Sequence, residues 1–329
     1  MAGWKKRKIA VVVAAVALAG LTLLNASWLA PDPKGKAKII SHRGVYHLYD
    51  KRKAFGRDTC TAQYSDPFKH AIFENTPASM QRAAALGADM VEIDVSPTKD
   101  GKMVLFHDWT VDCRTNGKGE TRELTLAELK ALDIGYGYTA DGGKTYPLRG
   151  KGVGQIPTVE EGLAALPNTP LLFNFKSNWP RESDQLFAIL KASGRDSAKI
   201  GDAFYGGERP VNRMRALLPA NWSFNLKLEA GACTKEYAAY GWTGIVPKSC
   251  RNSVLAVPIN YRWAFWGWPN RLIARMESVG AKVILFGPFE KGKSNEGIHT
   301  AAELASILPS FNGYIWVEDM EQIGAALKR

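Results

Sequence analysis

Eight short apolar runs, with segments of helical spacing between most of them, recur along the chain, and this alternation constrains the fold most. The runs lie at 37–41, 90–95, 171–175, 199–204, 223–228, 255–260, 282–286 and 314–317. Helices are predicted at 78–86, 126–132, 159–166, 183–192, 211–217, 270–278, 301–308 and 320–327. Strands that each feed a helix and then a parallel neighbour close, at eight repeats, into a (β/α)8 TIM barrel of the α/β class. A doubly wound open sheet is the alternative.

One further run, 103–106, breaks the rhythm. It follows 90–95 across a stretch that holds the turn signal Lys99-Asp100-Gly101. That spacing is too short for a parallel crossover, so the run returns as an antiparallel hairpin. The return brings His107 beside Glu92 and Asp94, and His42 ends the neighbouring first strand. All four then gather at the carboxyl-terminal mouth, where barrel enzymes place their chemistry. Along Met90–Val95, alternation turns Glu92 and Asp94 inward and Val91, Ile93 and Val95 outward. Two buried carboxylates side by side repel one another and call for a cation, a shared proton or a basic partner. Two histidines suit proton transfer at both ends of a bond-breaking step. The combination suggests metal-assisted hydrolysis.

The first 30 residues are not expected to join the barrel. Lys5, Lys6, Arg7 and Lys8 precede an unbroken apolar run from Ile9 to Leu24 that weakly polar residues extend to Ala30. This stretch is about long enough to span a bilayer, and its exit matches a cleavage site only partially. Segment 1–30 is therefore read as a retained signal anchor, with a cleaved signal as the alternative, and 31–36 as a tether. The barrel, 37–329, is expected to be exported and held by a single pass in an inner membrane, on the periplasmic or extracellular side. The formal charge of +11 is mostly local: seven bases between Lys5 and Lys38, less Asp32, give +6 and leave +5 for the barrel. With no basic helix or RNA-binding motif, nucleic acid is not expected as a partner, and no protein partner is predicted. Four cysteines, Cys60, Cys113, Cys233 and Cys250, lack metal-site spacing and fit an exported protein with up to two disulfides. Of the three possible pairings, Cys60–Cys113 and Cys233–Cys250 is expected, the second for its short separation.

Several motifs, in order, resemble one family. They are Ser41-His42-Arg43-Gly44, Glu74-Asn75-Thr76-Pro77, Gly87 through Val95, Thr98-Lys99-Asp100-Gly101, His107-Asp108, Arg114-Thr115-Asn116-Gly117 and Ile156-Pro157-Thr158-Val159-Glu160. Together they resemble the glycerophosphodiester phosphodiesterases, strongly from about Ile39 to Lys176 and weakly beyond. The resemblance implies metal-dependent hydrolysis of glycerophosphodiesters or lysophospholipids to an alcohol and glycerol phosphate. It implies His42 and His107 as the acid–base pair, Arg43 and Lys176 on phosphate oxygens, and Asn75 lining the site. Glu92 and Asp94 would hold one Ca²⁺ or Mg²⁺. The third ligand of the family is a Glu in Glu-x-Lys, where this chain has Asn174-Phe175-Lys176. Asn174 supplies an amide oxygen but no charge, so Glu74 is a further candidate ligand. A catalytically impaired protein that binds phosphodiesters or lipid head groups is the alternative.

The segment 45–73 is longer than usual for such a barrel and is read as a candidate lid, against a plain surface excursion. His47, His70 and His299 lack partners at ligand spacing and are assigned loop roles. Tyr261, Trp263, Phe265, Trp266 and Trp268 follow a barrel strand, and either clasp a choline group, touch lipid or pack the loop.

Overall fold

The computed structural model describes residues 2–50, 59–291 and 296–327. The strands are β1 (Lys38–Ser41), β2 (Met90–Pro97), β3 (Met103–Leu105), β4 (Leu171–Phe175), β5 (Ala203–Gly206), β6 (Trp222–Asn225), β7 (Val254–Pro258), β8 (Lys282–Phe286) and β9 (Tyr314–Val317). Eight of them run parallel in the order β6-β5-β4-β2-β1-β9-β8-β7, and β3 returns antiparallel on β2. The barrel is nearly closed. At its seam β6 and β7 do not pair; instead the Ala256 N–H donates to Thr234 Oγ1 at 3.0 Å, and Arg215 donates to the Ser223 carbonyl at 2.7 Å. Side-chain donors and acceptors thus take over at the seam what the ladder does elsewhere.

Alternation sorts the core into two layers. Val91, Ile93, Val95, Phe173, Val257 and Leu285 point outward to a shell that includes Met80, Leu186 and Met276 from the helices. Ile40, Met90, Leu172, Ala203, Phe224, Val254 and Ile284 fill the interior beneath the mouth. A smaller third cluster, with Ala62, Phe73, Val111, Ile134 and Tyr138, lies under the loops after β1 and β3.

Two predicted elements differ, and one was not predicted. Residues 199–204 divide into a helix (Ser197–Ile200) and β5, because the Asp196 side chain caps the Lys199 N–H and Gly201, at φ 94°, ends the turn. The strand expected at 223–228 stops at Asn225, whose side chain accepts from the Lys227 and Leu228 amides and starts a wide helical turn over Leu226–Gly231. A helix, Ala232–Tyr240, was not anticipated, since its residues show no apolar period; the Cys233–Cys250 disulfide pins it. Cys60 pairs with Cys113, so both disulfides match the expected pairing. The 51–58 part of the candidate lid lies outside the described residues. The rest of it packs beside the site, with His47, 6% exposed, stacked on His70 at 4.7 Å.

At the amino terminus a helix, Ala2–Asn25, holds an apolar stretch, Lys6–Asn25, with no buried face. Twenty-four residues give about 36 Å, enough for a bilayer core.

Candidate active site

The mouth is assembled from residues that follow, or lie in, five consecutive strands of the sheet. Register sets Asp94 against Asn174 and Asn174 against Tyr205, so inward positions form one row across β2, β4 and β5. Glu92 and Asp94 are fully buried. Glu92 accepts from the Tyr205 hydroxyl at 2.6 Å and from the Arg43 amide at 3.0 Å. Asp94 accepts from the side-chain amides of Asn75 and Asn174, each at 2.9 Å, with Arg43 Nε and Lys176 Nζ each 3.5 Å away. Asn75 also takes the Asp94 amide at 2.9 Å, a two-point grip.

The turn after β1 is held in an uncommon conformation. Arg43 and Asn75 both adopt positive φ, 54° and 57°, and the Asn75 amide donates to the Arg43 carbonyl at 3.1 Å. Such backbone costs on the order of 1–3 kcal/mol and persists only where surroundings enforce it. Gly44, at φ 76°, completes the turn; a Cβ there would lie 2.2 Å from Ser79 Oγ and 2.8 Å from its carbonyl carbon. Arg43 is thereby aimed inward, where it also donates to Glu74 at 3.0 Å.

Each histidine leans on a carboxylate. His107 Nδ1 lies 2.7 Å from Asp108, which Arg114 grips at 2.8 Å. His42 Nδ1 lies 2.7 Å from Glu318, just after β9, and Arg43 Nε donates to His42 Nε2 at 3.2 Å. Glu318 is 4% exposed and also accepts from the Tyr46 hydroxyl and, at 2.8 Å, from the Gly297 amide.

The carboxylates differ in how their charge is met, and the histidines differ accordingly. Burial disfavours a charge on His42, but the charge and hydrogen bond of Glu318, with Glu92, together outweigh it and raise the imidazole above its usual value. Asp108 is neutralised by Arg114, so burial with Arg43 and Lys176 nearby lowers His107 to about 4. Burial and then Asp94 raise the Glu92 carboxyl, while Asp94 is held low, against burial, by Lys176, His107 and Arg43.

The structure therefore brings His42, Arg43, Glu74, Asn75, Glu92, Asp94, His107, Asn174 and Lys176 into one connected network. The cysteines stand apart from it. Both oxygens of Glu74, expected among the cation ligands, are engaged by guanidinium groups, Arg43 at 3.0 Å and Arg114 at 3.2 Å. Tyr205, Glu318, Tyr46 and Arg114 were not singled out for roles beforehand. Tyr205 was findable as a polar inward residue of a strand; Glu318 required knowing that β9 closes on β1. Among the described residues no three His, Cys, Asp or Glu side chains converge as a metal cluster. Glu92, Asp94 and the Asn174 amide nevertheless form an all-oxygen donor set of the type a hard cation takes, once the amide turns its oxygen inward. A cation there would relieve the repulsion that raises Glu92.

Residues 42–191 match the family model described as "Glycerophosphoryl diester phosphodiesterase family". A glycerophosphodiester phosphodiesterase of Caldanaerobacter subterraneus is 55% identical over 62 residues, 19% of this chain and 26% of that protein. One from Bacillus subtilis is 40% identical over 93 residues, 27% of this chain and 30% of that protein. The chain thus spans about a third or less of the length of these relatives. The crystal structure of an Agrobacterium tumefaciens glycerophosphodiester phosphodiesterase superposes with TM-score 0.58 at 18% identity, covering 89% of this chain and 100% of that one. An Oleispira antarctica phosphodiesterase, solved with the product sn-glycerol-3-phosphate, gives 0.56 at 19% identity, covering 89% and 98%. At such identities these structures bear on the fold, and they agree with the barrel. The ordered motifs and the matched segment make residues 42–191 similar to the glycerophosphoryl diester phosphodiesterase family, and the barrel agrees with the fold of these solved structures.

Proposed function

We propose that the chain hydrolyses glycerophosphodiesters to an alcohol and glycerol phosphate, with His42 and His107 exchanging the protons. The observation that carries this reading is the pair of carboxylate-oriented imidazoles flanking a cationic floor of Arg43 and Lys176. The two cations suit the non-bridging oxygens of a phosphodiester, whose charge grows in the transition state. Water adds its oxygen to phosphorus, the bond from phosphorus to the head-group alcohol breaks, and that alcohol leaves with a proton. His107, neutral at pH 7, is suited to take the proton from the attacking oxygen. His42, whose protonated form Glu318 favours, is suited to give one to the leaving oxygen from Nε2 once that nitrogen carries a proton and no longer accepts from Arg43. Asn75 and Glu74 hold Asp94 and Arg43 in place.

Glu92, Asp94 and Asn174 are the residues that would hold one Ca²⁺ or Mg²⁺. Such an ion supplies neutralisation of the phosphate's charge. Glu74 serves the two arginines rather than the ion. The apolar first helix is read as a single membrane span, with its basic end in the cytoplasm and the barrel on the far side.

The test is release of glycerol phosphate from glycerophosphocholine by the full chain, with Ca²⁺, Mg²⁺ or chelator. His42→Ala and His107→Ala are each expected to cost on the order of 10²–10⁴ in kcat. Binding of the diester without turnover would instead favour the non-catalytic reading, for which the Asn174 amide bonded to Asp94 is the motivating observation.

A further inference from the structure

The end of the first helix is fastened to a particular face of the barrel. Arg275 donates to the Leu24 carbonyl at 3.0 Å and to Asn25 Oδ1 at 3.0 Å, and the Asn25 amide donates to the Trp242 carbonyl at 2.9 Å. A Cβ on Gly244 would sit 3.2 Å from the Leu24 side chain, so helix and loop touch. The loop concerned, 241–253, runs from the helix Ala232–Tyr240 into the start of β7, and the Asn252 amide bonds to Val279 in the loop entering β8. Loops that enter strands lie at their amino ends. His42, His107, Lys176 and Glu318 all follow strand ends at the opposite rim. The two rims are separated by the strands, about 16 Å for five residues.

Around the docking point the surface is apolar beyond what a water-facing loop needs. Tyr240, Trp242 and Ile245 are 63, 44 and 71% exposed, and Trp28 and Leu29, just past the helix, are 74 and 52% exposed. Lys248 and Arg251 on the same loop are exposed, with one acid, Glu236, bonded to Ser249. The Cys233–Cys250 disulfide clamps the loop from beneath. Aromatic and aliphatic side chains with two bases on the same loop, at the end of an apolar helix, match the interface of a bilayer with anionic head groups.

We propose that this rim rests on the membrane surface and holds the barrel with its mouth turned away from the bilayer. The proposal deepens the reading given above and rests on the first helix spanning the membrane.

The experiment uses the full chain in vesicles of phosphatidylethanolamine and phosphatidylglycerol. Flotation after carbonate washing tests the span. Tryptophan emission is then compared between ordinary and dibrominated lipids for Trp28→Phe, Trp242→Phe and Trp263→Phe. Ten tryptophans share the emission, so each reporter carries on the order of a tenth of it. The lipid-quenched part is expected to shrink by about that share in Trp28→Phe and Trp242→Phe, and to stay constant in Trp263→Phe, a residue of the mouth loop after β7 that is 78% exposed. Protein that floats but shows no change in Trp28→Phe and Trp242→Phe overturns the orientation and leaves the span intact. A loss confined to Trp263→Phe puts the mouth on the lipid and overturns it too. Protein that washes off removes both.

Discussion

Replacing Glu318 with Gln should separate the charge of this side chain from its shape. The carboxylate meets His42 Nδ1 at 2.7 Å, the Gly297 amide at 2.8 Å and the Tyr46 hydroxyl. A glutamine keeps an oxygen for the Gly297 amide or the Tyr46 hydroxyl and turns its NH₂ to the other contacts. Facing His42, that NH₂ makes Nδ1 an acceptor and moves the ring proton to Nε2, where it displaces the hydrogen bond from Arg43 Nε. A hydrogen bond to a charged group contributes about 1.5–3 kcal/mol, and 1.36 kcal/mol corresponds to one pKa unit or tenfold in rate. The imidazole of His42, raised by Glu318, should therefore fall, and kcat near neutral pH should drop roughly 10- to 100-fold. The sign follows from the role: His42 gives a proton, so the rate falls as pH rises through its pKa, and in Glu318→Gln that fall begins at lower pH. KM for glycerophosphocholine should change little, because Arg43 and Lys176 are untouched. The assay is a kcat and KM pH profile, with a thermal melt to establish that the variant folds. A folded variant whose kcat stays within about threefold and whose alkaline limb does not move would refute the assignment of Glu318.

Three further outcomes are expected. Gly44→Ala forces a Cβ into a left-handed residue 2.2 Å from Ser79 Oγ and 2.8–2.9 Å from Ser79 backbone atoms; it should lose at least ~2 kcal/mol in urea unfolding, and adding Ser79→Ala should not restore it. His107 is held at about 4 when folded against 6.5 unfolded, so the unfolded chain takes up the proton first. Stability should decline as pH falls from 6.5 toward 4, and the slope of unfolding free energy against pH in that window should flatten in His107→Gln. Asn174→Glu adds a third carboxylate beside Glu92 and Asp94 and should tighten Ca²⁺ binding by roughly tenfold or more, read by calorimetry without substrate; unchanged affinity would remove Asn174 from the ion's surroundings.

The barrel was legible because its strands carry local signals: apolar runs of strand length with helices between, and carboxylates at alternate positions of 90–95. The hairpin that returns His107 was readable from a spacing that permits no other connection. The errors fell where side chains act on the backbone locally. Asn225 ends one strand, Asp196 and Gly201 displace another, and the helix Ala232–Tyr240 is held by a distant cysteine rather than by its own periodicity.

The site divides in the same way. Its residue types and their order along the first half of the barrel are properties of the chain, because each sits at the end of a strand that the chain itself defines. Which carboxylate serves which histidine is not such a property. Glu318 meets His42 across 276 positions only because β9 pairs with β1, and Glu74 is drawn to Arg43 and Arg114 because the closed mouth buries all three together. The face that carries the first helix is equally a matter of closure, since Leu24 and Arg275 approach only when the last strands fold back on the first. Sequence alone determined which groups this protein possesses and on which face of each strand they stand. Tertiary structure alone decided their partners, because charge and hydrogen bonding act over a few ångströms and only closure of the barrel brings remote positions within that range.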